Sequence, residues 1–288
     1  MNERDDLLER EQSSMPASTL PLLSVEGISI QFAGVRALTD ISFQVDSGTL
    51  FAVIGPNGAG KTSLFNVLSR VYQPIAGSVT FDGRDLLRAR THQVAHLGIA
   101  RTFQNLGQFP SMSVLDYLLL GRHTRMRSGI LLGGLYLGFT RHEERVHRAY
   151  CLHLLELLDL QRWKDHPLGI LPYGLQKRAD IARALALEPK LLLLDEPVAG
   201  MSLAESEEIA FVILDIKEQL GVTQILVEHD MALVMGIADR VLVLDFGRMI
   251  AQGTPAEVQA NPDVIKAYLG EEFSHDVADA LSLSSEER

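Results

Sequence analysis

The segment GPNGAGKT at Gly55–Thr62 combines residue types that suit phosphate chemistry. It fits the pattern G-x-x-x-x-G-K-[ST], with the apolar run TLFAVIG before it and a helical pattern after it. Its glycines let the backbone wrap closely around a phosphate and point N–H groups inward. We expect the Lys61 ammonium to reach the β- and γ-phosphates of a nucleotide and the Thr62 hydroxyl to ligate Mg²⁺. The residues predicted to bind nucleotide here are Gly55, Pro56, Asn57, Gly58, Ala59, Gly60, Lys61, Thr62 and Ser63.

Two adjacent carboxylates, Asp195 and Glu196, follow the leucine run of LLLLDEP. An aspartate at the carboxyl end of a parallel strand beside a phosphate loop can hold Mg²⁺ through water. The glutamate after it can act as the general base that polarises an attacking water. The alternative is an exposed turn with two solvated carboxylates. The phosphate loop alone predicts nucleotide binding without separating kinases, GTPases, helicases and transport ATPases.

The composition narrows the classes of protein that this chain could represent. The chain has 288 residues and a net charge of -11, which argues against a nucleic-acid-binding surface. Cys151 is the single cysteine, so no disulfide can form within the chain and structural zinc is not expected. The N-terminal residues lack the apolar core of a signal peptide, and the apolar stretch Gly129–Phe139 is too short to span a bilayer. We therefore expect a soluble or peripheral protein.

The order of predicted elements indicates an α/β fold. Residues 22–48 alternate apolar and polar side chains with glycine punctuation, which predicts short antiparallel strands. The segments KLLLLDEP, VTQILVEH and RVLVLDFG predict buried strands, and the helix Glu205–Leu220 between two of them is typical of a parallel sheet. GTPAEV predicts a helix start with a capping box. Apolar residues at helical spacing from about 114 to 160 predict a second, smaller subdomain.

A second glycine turn starts a helix in LPYGLQKR, where Tyr173 and Gly174 precede the leucine-rich strand that ends at Asp195. A glycine at a helix start presents backbone N–H groups to an anion. One chain therefore contains two phosphate-binding helix starts, with a helical insertion between them. In this arrangement the sequence resembles the ATP-binding cassette (ABC) ATPases, and LPYGLQKR is similar to their signature motif.

The resemblance covers about residues 22 to 270, and further family landmarks follow in order. Gln104 in IARTFQNLGQFP matches the glutamine that senses Mg²⁺ and water, His229 in ILVEHD matches the switch histidine, and Phe32 matches the aromatic that stacks on adenine. The implied catalytic residues are Lys61, Gln104, Glu196 and His229. The implied metal ligands are Thr62, Gln104 and Asp195. The implied nucleotide contacts outside the phosphate loop are Phe32, Tyr173, Gly174 and Gln176.

The resemblance also implies a fold and a domain division. The expected fold is an α/β P-loop NTPase of the ABC ATPase type, with a RecA-like core, an antiparallel β subdomain and an inserted α-helical subdomain. A flexible N-terminal extension is expected at 1–21 and a flexible acidic tail at 271–288. Between them lies the ABC ATPase domain at 22–270, with the helical subdomain at about 105–180.

Two positions depart from the family pattern. Pro172 stands where the signature motif usually has a serine, and it offers neither a hydroxyl nor an N–H. The contact to the γ-phosphate held by a partner subunit must then come from the amides of Gly174 and Leu175. The segment Ala199–Ser202 occupies the D-loop and ends in serine where aspartate is common. We interpret both as subfamily variation, because the catalytic lysine, aspartate, glutamate and histidine are all present.

Within the family, the sequence resembles the ATPases of branched-chain amino acid importers. It rests on RTFQNLGQFPSMSVLDYLLLGRH, on the apolar insertion and on the ending GTPAEVQANPDVIKAYLGEEF. It implies ATP and Mg²⁺ as cofactors, a second ABC ATPase subunit in a homo- or heterodimer, and separate permease subunits. A periplasmic binding protein would take part indirectly. The chain would lie at the cytoplasmic face of the inner membrane, with permease coupling helices near Phe103–Met112.

Three other functions stay open at this point. The ATPases of lipid or lipopolysaccharide exporters look similar, although a shorter helical insertion is expected for them. A non-transport ABC protein would usually carry two cassettes or a long coiled-coil insertion. A nucleotide-dependent regulator without turnover would not need Glu196 and His229.

The apolar stretch Gly129–Phe139 is either a contact to permease or lipid, or a core piece of the helical subdomain.

Overall fold

The computed structural model of the chain describes residues 20–103, 109–125 and 138–268, and within them it forms two β-sheets with helices packed around the larger one. The strands are β1 (Leu23–Phe32), β2 (Val35–Val45), β3 (Leu50–Ile54), β4 (Ala76–Phe81), β5 (Arg84–Asp85), β6 (Ile99–Arg101), β7 (Leu191–Asp195), β8 (Thr223–Val227), β9 (Arg240–Asp245) and β10 (Arg248–Gly253). The α-helices are α1 (Lys61–Leu68), α2 (Val94–Leu97), α3 (Val114–Arg122), α4 (Gly138–Leu157), α5 (Tyr173–Leu185), α6 (Leu203–Leu220), α7 (Met231–Ile237) and α8 (Pro255–Gln259).

Three expectations fall wholly or mostly on other parts of the chain. The acidic tail at 271–288 lies outside the described residues, as does nearly all of the N-terminal extension at 1–21. Most of the apolar stretch Gly129–Phe139 lies outside them as well. For the described residues, the α/β fold with a separate antiparallel sheet and an inserted helical block is confirmed.

The larger sheet has the strand order β10-β9-β3-β8-β7-β6. All pairs in it are parallel except that of β10 with β9. Every residue of β3, β7 and β8 is buried, as expected for strands covered on both faces. Alternate side chains face opposite cores: Phe51 and Val53 pack in one with α1, and Ala52 and Ile54 pack in the other with the remaining large helices. Because these strands run parallel, their carboxyl ends lie at the same edge of the sheet.

The smaller sheet has the order β2-β1-β4-β5 and is antiparallel, as the alternating pattern predicts. It packs in the same core as α1. Its strand β2 reaches the phosphate loop through the hairpin between β9 and β10. The Thr39 N–H donates to the Gly247 carbonyl oxygen at 2.7 Å, and the Gly247 N–H donates to the Ala59 carbonyl oxygen at 3.0 Å. The loop is thereby fixed to both sheets.

Helix starts follow the capping signals of the sequence. Helix α6 begins before the expected Glu205, because the Ser202 side chain accepts from the Glu205 N–H and the Glu205 carboxylate accepts in return. The predicted capping box of Thr254 and Glu257 is present, with Pro255 at the first helical position. The predicted helical block contains α3 and α4, whose buried leucines share one core with α5 and the larger sheet.

Candidate functional site

Three loops with groups suited to phosphate chemistry lie next to one another at the carboxyl edge of the larger sheet. The phosphate loop follows β3, Asp195 ends β7, and His229 lies in the loop after β8. Because β3, β8 and β7 are neighbours in the sheet, their loops are adjacent in space. The structure thus brings together residues that lie far apart in the sequence.

Close contacts with neighbouring backbone fix the phosphate loop. Gly55 has a φ of 148°, and a Cβ there would lie 2.1 Å from the Leu244 carbonyl oxygen, so only glycine fits. A Cβ on Gly58 would meet no atom within 4 Å, which leaves that part of the loop open. A rigid loop with one open side is suited to hold a phosphate against its backbone.

The first turn of α1 contributes Lys61, Thr62 and Ser63. Lys61 is only 6% exposed, and its Nζ donates to the carbonyl oxygens of Gly55 at 2.5 Å and Pro56 at 3.0 Å. The ammonium is therefore folded back over the loop. The start of a helix carries partial positive charge, so the ammonium and α1 together favour an anion at this place.

Asp195 is buried and carries one oxygen that the protein leaves unsatisfied. Its Oδ2 accepts from Arg101 Nη2 at 2.7 Å. The same guanidinium donates through Nη1 to Asn66 Oδ1 on α1 at 2.8 Å, which ties the end of β7 to the phosphate helix. Asp195 Oδ1 is buried without a hydrogen-bond partner. Such an oxygen is costly unless another group binds it, and a hard cation is suited to do so.

The residues present therefore fit Mg²⁺. Thr62 is exposed at the start of α1, and its hydroxyl would share the ion with Asp195 Oδ1. Among the described residues, no group of three or more His, Cys, Asp or Glu side chains is arranged to hold a metal ion. Mg²⁺ usually takes one or two protein ligands and completes its shell with water and substrate phosphates.

Glu196 is held by its backbone and keeps a partly exposed carboxylate. Its φ of 46° lies in the left-handed region that few non-glycine residues adopt. Its N–H donates to the Val227 carbonyl oxygen at 2.9 Å, and its carbonyl oxygen lies 3.5 Å from Lys177 Nζ. The side chain is only half-buried, so water can reach a general base at this position.

His229 and Glu228 follow β8 and differ completely in exposure. The His229 side chain is 61% exposed, and its Nδ1 lies 3.7 Å from Glu228 Oε2. Glu228 is fully buried, and its Oε1 and Oε2 accept from the N–H groups of Val198 at 3.0 Å and His229 at 3.2 Å. Burial raises the pKa of Glu228; the Glu196 charge adds a little, and the two N–H donors oppose the shift.

The signature turn comprises Pro172–Gln176 and starts α5. Pro172 is the N-cap residue and provides no side-chain hydrogen bond to the helix start. Tyr173 is 43% exposed. The Gln176 side-chain amide, predicted as a nucleotide contact, donates to the Leu171 carbonyl oxygen at 2.8 Å. In this structure it therefore braces the turn itself.

Within its own chain, the signature turn lies beside the start of α6. A Cβ on Gly174 would come no closer than 3.8 Å to the Glu205 side chain, so the chain itself leaves space there. Lys177 is buried one turn further along α5, with its Nζ 5.6 Å from the centroid of the Tyr173 ring. The chain itself therefore leaves room next to Gly174.

Two predicted site residues remain, Phe32 and Gln104, and only Phe32 lies within the described part of the chain. Phe32 ends β1, is half-exposed, and meets Tyr72 edge-to-face with ring centroids 4.9 Å apart. An exposed ring at this position is compatible with stacking on a base. Gln104 lies outside the described residues.

The sequence reasoning missed three charged residues beside the site, namely the buried Asp180 and Glu228 and the partly exposed Arg101. Asp180 on α5 accepts from the Phe103 N–H at 2.6 Å and from the Tyr117 hydroxyl at 2.8 Å, which joins α5 to the segment after β6. Burial and the Asp180 carboxylate hold the pKa of Tyr117 above its usual range. In the sequence, each of these residues is visible only as a charged residue next to or within an apolar segment. That pattern does not reveal which residue it will contact in the fold.

Comparison with protein families matches residues 38–199 to the family described as ABC transporter. Residues 248–274 match the family described as Branched-chain amino acid ATP-binding cassette transporter. Among curated proteins, the high-affinity branched-chain amino acid transport ATP-binding protein BraF of Pseudomonas aeruginosa is 39% identical over 251 residues, with 87% of this chain and 98% of that protein covered. The high-affinity branched-chain amino acid transport ATP-binding protein LivG of Escherichia coli is 37% identical over 251 residues, with 87% of this chain and 98% of that protein covered.

Solved structures give the same picture. The ADP conformation of an ATP-binding cassette of an ABC transporter superposes with a TM-score of 0.77 at 31% identity, covering 88% of this chain and 100% of that one. A nucleotide-free ATP-binding cassette from an ABC transporter gives a TM-score of 0.75 at 30% identity, with 86% and 99% covered. Within the described ranges, no helix is long and apolar enough to cross a membrane.

Proposed function

The chain belongs to the ABC transporter family, and from that membership we propose that it is the ATP-hydrolysing subunit of an importer for branched-chain or related amino acids. Membership confirms the resemblance expected from the motifs. The observation that carries the site assignment is the unsatisfied oxygen of buried Asp195 at the edge that also bears the phosphate loop. The substrate class rests on the printed functions of BraF and LivG and on the match of residues 248–274.

Binding begins at the phosphate loop. The loop amides and the start of α1 receive the phosphates of ATP, and Lys61 exchanges its bonds to the loop carbonyls for a phosphate oxygen. Phe32 covers the adenine with its exposed ring. Thr62 and Asp195 would hold Mg²⁺, with Gln104 as the third ligand that the family pattern implies. When bound, Mg²⁺ neutralises charge that develops on the phosphates.

Hydrolysis depends on Glu196 and His229. Glu196 accepts a proton from the attacking water, because its carboxylate is partly exposed beside the phosphate site. His229 reaches the γ-phosphate and the water from the next loop, and its exposed ring is free to do so once a nucleotide is present. Lys61 holds the charge that builds on the transferred phosphoryl group.

A second subunit completes the site. The Tyr173–Gly174 turn of one subunit would cap the ATP held by the phosphate loop of the other, through the amides of Gly174 and Leu175. Two ATP molecules would then draw the subunits together, and hydrolysis would release them. The second subunit is either a copy of this chain or a related ATPase.

The remaining parts of the proposal concern the assembly. Permease subunits would bind near Phe103–Met112 and carry the chain at the cytoplasmic face of the inner membrane, with a periplasmic binding protein acting indirectly. Closure of the ATPase pair would move the helical subdomain and the permease with it. The limits proposed are an ATPase domain at 22–270 and a helical subdomain at about 105–180.

The proposal is tested in two linked assays. Phosphate release by the purified chain should fall on the order of 100-fold or more in Glu196→Gln, because a general base is lost while ATP still binds. In cells lacking the gene, uptake of radiolabelled leucine, isoleucine and valine should fall and be restored by wild type but not by this variant. Normal uptake of all three without the gene would reject the importer assignment, and wild-type turnover by Glu196→Gln would reject the role of Glu196.

A further inference from the structure

Glu228 is a fully buried carboxylate that connects two loops of the site. It directly follows β8, and each of its two oxygens accepts one backbone N–H. Oε1 binds the N–H of Val198, in the loop that follows β7. Oε2 binds the N–H of His229, in the loop that follows β8. One side chain therefore bridges the segment with the proposed base and the segment with the proposed switch histidine.

The contacts on either side of Glu196 show what this bridge does. Glu196 has the unusual φ of 46°, so its loop needs restraints that keep it in that conformation. The first restraint is the bond from the Glu196 N–H to the Val227 carbonyl oxygen. Pro197 has no N–H, so the next donor along the chain is Val198, and its partner is Glu228. These two hydrogen bonds enclose Glu196, and of the two only that of the Val198 N–H depends on a side chain. Lys177 Nζ, at 3.5 Å from the Glu196 carbonyl oxygen, adds a longer contact.

We propose that Glu228 is a positioning residue that holds Glu196 and His229 in one working geometry by binding the amides of Val198 and His229. This inference rests on the proposed roles of Glu196 and His229 in ATP hydrolysis. Glu228 itself lies below the site surface, touches no phosphate and takes no proton from water.

Variants of Glu228 should lower turnover and leave nucleotide binding intact. Glu228→Gln keeps the shape but turns one acceptor into a donor that faces a backbone N–H, and Glu228→Ala removes both acceptors. Because small displacements of a catalytic group are costly, we expect kcat to fall about 5-fold in Glu228→Gln and about 100-fold in Glu228→Ala. The KM for ATP and the affinity for a fluorescent ATP analogue should change less than about threefold.

Gln224→Met provides the matched control. Gln224 lies on the same strand, is also fully buried, and donates its side-chain amide to the Ile213 carbonyl oxygen at 2.9 Å, away from both loops. Its replacement should lower the thermal midpoint without lowering kcat at a temperature where it is folded. An equal loss of kcat in this control and in Glu228→Gln would mean that Glu228 only supports the fold, and would overturn the proposal.

A combined variant separates positioning from general damage. If Glu228 acts by positioning Glu196 and His229, then adding Glu228→Ala to a chain that carries both Glu196→Gln and His229→Ala should slow the remaining hydrolysis less than about threefold, because both groups that it positions are already gone. A full multiplicative loss would contradict the proposal, and so would a Glu228→Ala chain with kcat within twofold of wild type. If wild type itself releases no phosphate, the proposed function fails, which is a different outcome from an active wild type that is indifferent to Glu228.

Discussion

The phosphate loop and the signature turn are both glycine-containing turns that start a helix, but the chain supports them in different ways. In the phosphate loop, Gly55 is required by its own surroundings, because a Cβ there would overlap the Leu244 carbonyl. In the signature turn, Gly174 has open space, and the adjacent Tyr173 is partly exposed. Glycine within a helix destabilises that helix relative to alanine. No contact within the described part of the chain requires glycine at position 174, so we infer that its small size serves a ligand that is not part of this chain.

The two regions also differ in how firmly contacts within the chain hold them in place. Lys61 is bonded to loop carbonyls and Asp195 to Arg101, so the phosphate-loop half is held in place by its own sheet. The signature turn is braced by Gln176 and offers its amides on the surface. A nucleotide shared between two chains requires a rigid half, here the phosphate loop, that binds it, and an open half, here the signature turn, that covers it from the other chain. The largest effects on stability and hydrolysis should therefore come from substitutions that act on only one of these two halves.

The strongest contrast is expected between alanine at Gly55 and alanine at Gly174. Gly55→Ala should destabilise the chain by about 3 kcal/mol or more, because the new Cβ clashes with backbone at a positive φ. Gly174→Ala should leave stability unchanged or raise it by up to about 1 kcal/mol, yet lower hydrolysis more than about tenfold by blocking close approach to a phosphate. Thermal midpoints and phosphate release measure both. Equal destabilisation by the two changes would remove the difference on which the comparison rests.

A smaller effect is expected at Arg101, within the rigid half. Arg101→Gln leaves the buried Asp195 carboxylate without its counter-ion and should destabilise the free chain by about 3 kcal/mol. Mg²⁺ with ATP should then raise the thermal midpoint more in the variant than in wild type, because the metal replaces the missing charge. Arg88→Gln is a control, since Arg88 forms an exposed pair with Asp85 and should have almost no effect. Equal ligand-induced shifts in Arg101→Gln and wild type would argue against a cation at Asp195.

The smallest effect is expected at Pro172. Serine is a good N-cap residue, so Pro172→Ser should keep the start of α5 and leave ATPase activity within about tenfold of wild type. Phosphate release at saturating ATP is the measurement. A complete loss of activity would show that the open half depends on the fixed φ of proline for its shape.

The sequence predicts the fold where the side-chain pattern is local. The alternation of β1 and β2, the buried strands that end at Asp195 and before His229, and the capping box of Thr254 are all found as expected. The phosphate loop and the Asp-Glu pair could be identified because their spacing follows from one strand and one turn each. Their meeting at one edge followed from the parallel arrangement of their strands.

The sequence could not predict contacts between distant segments. Arg101 pairs with a residue that lies beyond the whole helical block, and Glu228 binds an amide in a different loop. Neither partner has a fixed spacing, because folding alone brings the segments together. Gln176 was expected to contact nucleotide, and its bond to the Leu171 carbonyl is a tertiary detail that no spacing reveals.

A mixing experiment tests most directly whether one nucleotide is shared between two chains. Lys61→Ala damages every phosphate loop, and Gly174→Asp damages every signature turn, so each variant alone should be inactive where wild type is active. In an equal mixture, half of the dimers combine the two variants, and each of these has one intact site. The mixture should recover about one quarter of wild-type activity. When the wild-type chain hydrolyses ATP as a dimer of its own copies, a mixture as inactive as its components, or a fully active Gly174→Asp chain, would contradict the account.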